Sequence, residues 1–132
     1  MALNLSPNTL GVERAYIAGG AITQYAVVVR TTDTADGLDP RVIEPAATSD
    51  APEGIAQNSA AAGEVVRVRI SGESFVIANG PYSVGDQLSI AATSGTVDTA
   101  ASGDRIVGVA REAAAAAGDI KVVQLDLTST LP

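Results

Sequence analysis

The most regular pattern along this chain is an alternation of apolar and polar side chains in the run EVVRVRIS, residues 64–71. Apolar side chains at every second position alternate with Arg67 and Arg69. Successive side chains of a β-strand point to opposite faces of a sheet, so a period of two is typical of a strand with one buried face. This run therefore predicts a half-buried strand with both arginines on its polar face.

Short apolar runs separated by turn residues continue through the rest of the chain. Clusters of Gly, Pro, Asn and Asp recur about every 8–12 residues, which favours a sandwich or a barrel. The alanine-rich segment 111–118 favours at most one helical turn, because it is shorter than an isolated helix needs. We therefore expect an all-β fold, a small β-barrel. Besides 64–71, the predicted strands are 25–29, 41–44, 74–78, 87–90, 96–98, 105–110 and 120–127.

The chain contains an internal repeat with a period of about 54 residues. Residues 44–56 (EPAATSDAPEGIA) resemble residues 98–110 (DTAASGDRIVGVA), and each copy continues through an alanine-rich loop, a Gly-acid pair and a strand. Two copies indicate a duplicated single domain rather than a solenoid. At the position of Val66 the second copy has Lys121, so the two copies are expected to face different surroundings. The alternative is chance similarity in a chain rich in Ala and Gly.

The repeat also predicts the organisation of the domain and the role of four glycines. Gly54 and Gly108 would let two backbones approach closely, whereas Gly63 and Gly118 would turn the chain into the long strands. Two such units can close into one small barrel, and closure removes exposed strand edges. The predicted regions are an N-terminal arm at 1–15, one barrel domain at 16–127 with halves at about 21–72 and 80–127, and a tail at 128–132.

The first fifteen residues have no helical period and predict an extended N-terminal arm. Leu3, Leu5 and Leu10 stand among polar residues and Pro7. Apolar side chains outside a periodic element need a surface that buries them, so we predict that these three leucines contact a partner. The alternatives are a frayed terminus and an edge strand of the domain itself.

The composition excludes several classes of function. The 132 residues include no His and no Cys, which rules out Ser-His-Asp and Cys-His nucleophiles, disulfides, and the usual zinc, haem and iron–sulfur sites. The net charge of −7 disfavours nucleic acid as a partner, since such a surface needs a basic patch. We expect no membrane partner, because no apolar run approaches a membrane span and MALNLSPNTL lacks the pattern of a secretory signal. No enzyme and no cofactor are expected.

Two further groups of residues are candidates for binding. Asp33, Asp36 and Asp39 share one polar loop with a glycine, and closely spaced carboxylates ligate calcium, although this spacing departs from the EF-hand pattern. Arg67 and Arg69 are placed to form salt bridges with the carboxylates of a partner. The alternative for each group is an ordinary solvated surface.

The order of four short motifs along the chain resembles one known family. The motifs are GIAQNSAAAGEVVRVRISG (54–72), FVIA (75–78), VGDQL (84–88) and RIVGVA (105–110). They are similar to tailed-phage capsid decoration, or cement, proteins, in which a G-[IV]-A strand leads through an Ala/Gly-rich loop to a strand ending in glycine. The resemblance extends over about residues 16–127, and the polar loop 31–40 departs from it.

The resemblance implies a β-tulip-like barrel with an N-terminal arm, located in the virion on the outer capsid surface. Proteins of this family bind the major capsid protein at junctions between its subunits and stabilise the shell against genome pressure, often as dimers or trimers. The family has no catalytic residues. The alternatives are another phage structural protein, such as a tail or baseplate adaptor or a fibre-associated barrel, and a ligand-binding β-barrel. Three Tyr, one Phe and no Trp disfavour a sugar ligand.

Overall fold

The described part of the chain consists of short strands and the loops that join them, with no helix. The computed structural model describes residues 11–31, 41–45 and 47–132. Its strands are β1 (Val12–Ala18), β2 (Val27–Thr31), β3 (Arg41–Ile43), β4 (Pro52–Ala56), β5 (Val65–Ser71), β6 (Glu73–Ile77), β7 (Gln87–Ile90), β8 (Val97–Thr99), β9 (Ile106–Ala110) and β10 (Ile120–Leu125).

The strands form two units, one from each half of the chain. Strands β1 to β5 close into a barrel in the order β1-β3-β2-β4-β5, and β6 to β10 form a sheet in the order β6-β10-β9-β7-β8. The barrel closes where β1 and β3 run parallel, with Ala18 opposite Val42. In the second unit, Ala78, the residue after β6, pairs with Val97 of β8 at one isolated parallel bridge. The structure confirms the all-β fold with a small barrel.

The buried apolar residues form two hydrophobic clusters, and one of them joins the two units. One fills the barrel and includes Val28, Val66 and Val68. The other lies in the second unit and also includes Val27, Val29 and Ile55 of the barrel strands β2 and β4. Because Val27 and Val29 flank Val28 along β2, they point outward from the barrel. Each buried Val or Ile contributes about 1.5–3 kcal/mol, so this outer face of the barrel fixes the second unit against it.

The structure adds detail to two segments for which the sequence expectation was coarse. The expected arm boundary at residue 15 falls within β1, where Glu13, Arg14 and Ala15 interrupt any apolar alternation. Pairing with β5 makes this segment a strand despite that pattern. No helical turn forms at 111–118, because Ala114 and Tyr82 exchange backbone hydrogen bonds across an isolated bridge.

The tail 128–132 lies against the loop that precedes β9. Ile106 donates its N–H to Ser129, Gly103 donates to Leu131, and Leu131 donates back to Asp104. These backbone hydrogen bonds satisfy polar groups that would otherwise need water. The tail is therefore part of the folded body of the second unit.

Candidate partner-binding surfaces

The two arginines of β5 have different environments. Arg67 has 58% of its side chain exposed, whereas Arg69 has 1% exposed. Arg69 donates from Nε to Glu13 at 3.2 Å and from a terminal nitrogen to the carbonyl of Glu73 at 2.7 Å, so it joins β1, β5 and β6. Arg69 is thus held inside the protein, while Arg67 keeps the exposure that contact with a partner needs.

The four glycines singled out by the repeat fall into two pairs. Gly54 and Gly108 lie inside β4 and β9, where a Cβ atom would stand 2.4 Å and 2.2 Å from a carbonyl oxygen of the neighbouring strand. Gly63 and Gly118 have φ angles of 87° and 92°, which L side chains rarely adopt. The first pair permits close approach of strands and the second pair permits turns, and none of the four offers a binding group.

A polar group occupies one end of the barrel interior. Tyr16 is buried, its hydroxyl donates a hydrogen bond to Glu53, and Glu53 forms an ion pair with Arg30 at 3.5 Å. The guanidinium groups of Arg14 and Arg30 each lie 5.7 Å from the centroid of the Tyr16 ring. Burial, and then the hydrogen bond to Glu53, raises the pKa of the Tyr16 hydroxyl. We call these four residues the Tyr16 cluster.

A small polar pocket lies beside the barrel. It has a volume of about 190 Å³ and is lined by Glu13, Gln24, Gln57 and Arg67. Gln57 has 6% of its surface exposed, and its Oε1 has no hydrogen-bond partner among the described residues. No pattern in the sequence indicates this pocket, because its four residues come from four separate segments of the chain. We call it the Gln57 pocket.

Large apolar side chains are exposed at four of the described positions: Val12, Val65, Val84 and Ile120. Two of these hold corresponding places, because Val65 begins β5 and Ile120 begins β10. Val65 lies opposite Ile17 and Ile120 lies opposite Ile77. Each unit therefore presents one apolar pair at the start of its long strand.

Some predicted site residues lie outside the described residues. These are Leu3, Leu5 and Leu10 of the arm and Asp33, Asp36 and Asp39 of the polar loop. Within the described ranges, no group of three or more Asp and Glu residues is arranged to hold a metal ion. None of the described segments is a helix long and apolar enough to cross a membrane.

The fold is similar to that of a phage head protein. The N base of the head fibre gp8.5 of bacteriophage phi29 superimposes with a TM-score of 0.70 and 20% sequence identity. The match covers 92% of this chain and 98% of that chain. At this identity the likeness establishes the fold. No curated protein sequence matches this chain significantly.

A match to a family sequence model shows which family this chain belongs to. The model of the phage cement proteins matches residues 17–127. The chain belongs to the phage cement protein family. The match begins inside β1 and ends just after β10, so β2 to β10 of this cement protein lie wholly within it. The family places the protein in the virion, as a structural component at the capsid surface, and confirms the resemblance drawn from the four motifs.

Proposed function

We propose that this cement protein binds the outer surface of the phage head and stabilises contacts between major capsid protein subunits. The observation that supports the proposal most strongly is the family match over residues 17–127. A structural component present in many copies needs only weak individual contacts, because their effects combine. The compact pairing of barrel and sheet would serve as the rigid body that spans neighbouring subunits.

The proposal includes the absence of catalysis and of nucleic-acid binding. The sequence has no His and no Cys, and its net charge is −7. In the Tyr16 cluster, Arg30 is already paired with Glu53, and the Tyr16 hydroxyl already donates to the same carboxylate. Such an arrangement stabilises an end of the barrel and leaves no activated nucleophile.

We propose that Leu3, Leu5 and Leu10 bind a capsid subunit or a neighbouring copy of the protein. The point at which residues 1–10 join the barrel is fixed, because Glu13 accepts a hydrogen bond from the buried guanidinium of Arg69. Gly11 itself has a φ of 115°, and a Cβ there would stand 2.1 Å from the carbonyl oxygen of Ser71. The start of β1 is therefore a rigid attachment point for an extended segment.

The test is cosedimentation of the purified protein with undecorated heads. We expect the full chain to sediment with heads at a saturating stoichiometry, and a variant lacking residues 1–10 to fold with an unchanged Tm but to bind at least tenfold more weakly. The deletion stops before Gly11, because removal of Glu13 would leave Arg69 buried without its carboxylate. Binding of the shortened variant at full strength would remove the role of the arm. Failure of the full chain to bind would contradict the proposed function.

Self-association into a dimer or trimer is also proposed. In the apolar pairs Ile17–Val65 and Ile77–Ile120, one side chain is exposed and the other is half-buried, and a second copy would cover both. Sedimentation equilibrium should show a mass two or three times that of the chain, and Val65→Asp should shift it toward the monomer. A monomer at every concentration would contradict this part.

A second candidate function is that of a fibre-associated barrel on the head. The observation in its favour is that the chain spans nearly the whole of the phi29 head-fibre N base, 98% of it. Copy number separates the two, because a cement protein covers the shell in many copies whereas a fibre base holds a smaller set of positions. Saturating occupancy over the whole shell would favour cementing, and occupancy at a few positions beneath fibres would favour the second function.

A further inference from the structure

The turn formed by Asn79 and Gly80 directly follows the bridge that links the two ends of the second sheet. Ala78 pairs with Val97 in that bridge, and Asn79 donates its backbone N–H to Val97 at 2.8 Å. The N–H of Gly80 donates to none of the described residues, and no atom beyond its chain neighbours lies within 4 Å of the place of a Cβ. The nitrogen of Gly80 is therefore free of hydrogen bonds and unshielded by a side chain.

The carboxamide of Asn79 is held by one weak contact. Its Nδ2 donates to the carboxylate of Asp98 at 3.5 Å, which is the outer limit of a hydrogen bond, and its Oδ1 accepts none from the described residues. The side chain is half-buried and does not lie in a packed core. It can therefore turn toward the nitrogen of Gly80, which is the next atom of the chain beyond its own carbonyl carbon.

Asn58 provides an internal contrast. Its Nδ2 donates to the backbone carbonyls of Ser59 and Val65 at 3.1 Å and 3.3 Å. Its Oδ1 accepts the backbone N–H of Arg67 at 2.8 Å. Both ends of this carboxamide are thus fixed, and the residue that follows it has a side chain that shields the backbone nitrogen.

A free backbone nitrogen beside a loosely held carboxamide allows an intramolecular displacement. We propose that Asn79 is a site of spontaneous deamidation. The nitrogen of Gly80 loses its proton and bonds to Cγ of Asn79, while the Cγ–Nδ2 bond breaks and Nδ2 takes up a proton and leaves as ammonia. Water then opens the resulting succinimide ring at one of its two carbonyl carbons, which yields aspartate or isoaspartate.

The site belongs to the second unit alone. Gly19 and Gly20 hold the corresponding places in the first unit, since Gly19 donates its N–H to Val42 at 2.8 Å as Asn79 does to Val97. Glycine has no carboxamide to lose. Of the four Asn residues in the sequence, Asn79 is the one that precedes a glycine.

The product would weaken the bridge beside it. A carboxylate at position 79 would stand beside the carboxylate of Asp98, and like charges repel. Isoaspartate would also add one carbon atom to the backbone between the bridges at Ala78 and Tyr82. A virion makes no new protein, so the modified form would accumulate with the age of the particle.

The test is peptide mass spectrometry of the full chain after incubation in neutral buffer at physiological temperature. Trypsin cleaves after arginine, and its products 42–67 and 70–105 contain Asn58 and Asn79, respectively, as their single Asn. We expect peptide 70–105 to gain one dalton at residue 79 and to separate into aspartate and isoaspartate forms, whereas peptide 42–67 keeps its mass. An unincubated sample digested in parallel corrects for conversion during digestion.

Three variants make the test specific. Gly80→Ala should slow conversion at least tenfold with little change in Tm, because the added methyl group shields the nitrogen and enters open space. Asn79→Asp, which is one of the two products, should lower the Tm, and Asp98→Asn added to it should recover most of that loss.

The proposal is overturned if residue 79 keeps its mass, if Asn58 converts as fast, or if Gly80→Ala does not slow the conversion. An unchanged Tm in Asn79→Asp would overturn the weakening of the bridge. None of these measurements uses heads, so a failure here would leave the proposed function intact, and a failure of head binding would leave the modification intact.

Discussion

The barrel of the first half and the sheet of the second half make the same backbone hydrogen bonds at corresponding places. Ala18 donates to Glu64 at 2.8 Å, and Ala78 donates to Asp119 at 2.8 Å. The isolated bridge between Ile22 and Ala60 has its counterpart between Tyr82 and Ala114. These matches are what a duplicated unit would show, and duplication is the explanation that we propose for them.

The two units differ in the side chains at one end of their interiors. The first unit has Tyr16, Arg30 and Glu53, which form most of the Tyr16 cluster. The second unit has Val76, Ile90 and Val107 at the corresponding places, and all three are buried. Val76, Ile90 and Val107 share a cluster with the outer face of the barrel, so this end of the second unit is covered. The same end of the first unit carries the partly exposed charged groups of Arg30 and Glu53 instead.

On the outer faces of the two units the difference is reversed, because the first unit is apolar there and the second unit is polar. Val27, Val29 and Ile55 on the barrel are buried against the second unit. The corresponding side chains of the second unit are Gln87, Ser89 and Val109, of which Gln87 is exposed. Only one of the two outer faces is therefore apolar. The same arrangement of strands thus has an apolar outer face in the first unit and a polar one in the second. For this reason the outer face of the barrel is the one that is buried between the units.

The largest effect is expected at the glycines that both units need. In Gly54→Ala and Gly108→Ala, the new Cβ would stand 2.4 Å from the carbonyl oxygen of Arg69 or 2.2 Å from that of Gln124. Each change should lower the free energy of unfolding by about 3 kcal/mol or more, as measured by urea denaturation. Gly80→Ala, where nothing lies within 4 Å, is the control. A small change in the free energy of unfolding at either glycine would contradict this prediction, because it would show that the neighbouring strands can move apart at little cost.

The second effect distinguishes the two units. Glu13 pairs with the buried Arg69, whereas Glu73, its counterpart on β6, pairs with the exposed Arg111 at 3.8 Å. Glu13→Gln should cost about 2–3 kcal/mol, below the ~3–5 kcal/mol of a fully buried pair because the carboxylate is partly exposed. Glu73→Gln should cost less than about 1 kcal/mol. If thermal denaturation showed equal losses of stability for the two variants, burial of Arg69 would not strengthen its ion pair with Glu13.

The third effect concerns the Tyr16 cluster. Tyr16→Phe removes the hydrogen bond to Glu53 and should cost about 1 kcal/mol. Burial raises the pKa of Tyr16 first, and the folded state therefore binds the phenol proton more tightly than the unfolded state. This stabilisation is complete below the unfolded pKa of about 10 and is lost as the pH rises through the folded value. Burial also raises the pKa of Tyr82, so absorbance titration should show two late-ionising tyrosines in the protein and one in the variant.

The smallest effect is expected at an exposed turn. Backbone hydrogen bonds from Ala115 and Ala116 lower the pKa of Asp119, so its contribution is present above the unfolded pKa of about 4 and is lost as the pH falls through the folded value. Asp119→Asn should lower Tm slightly at neutral pH, and the difference should vanish in acid. A difference independent of pH would mean that charge plays no part in this turn.

The sequence was sufficient for the fold class and for most strands, because the alternation in β5 and the turn residues report local structure directly. It was not sufficient for β1, where Arg14 interrupts the pattern, or for Tyr25, which has a φ of 70° where the second unit has Gly85. Contact of Tyr25 with the Phe75 ring, 5.2 Å between centroids, stabilises that backbone. Such contacts join residues far apart in the chain and leave no local pattern.

The candidate surfaces could be foreseen only where a local pattern of residues marks them. Arg67 and Arg69 were visible as polar positions in an apolar alternation. That Arg69 is buried depends on Glu13 and on the carbonyl of Glu73, which the fold alone brings beside it. The burial of Gln57 was not foreseeable either, because it depends on Ser74 of β6, which only the fold brings within hydrogen-bond distance.

The most direct test of the account is a cryo-electron microscopy reconstruction of undecorated heads after incubation with the purified chain. We expect added density on the outer capsid surface, at junctions between major capsid protein subunits, into which the barrel and the second unit fit as one rigid body. Heads without added density at saturating protein, or density confined to a tail or fibre attachment site, would contradict it.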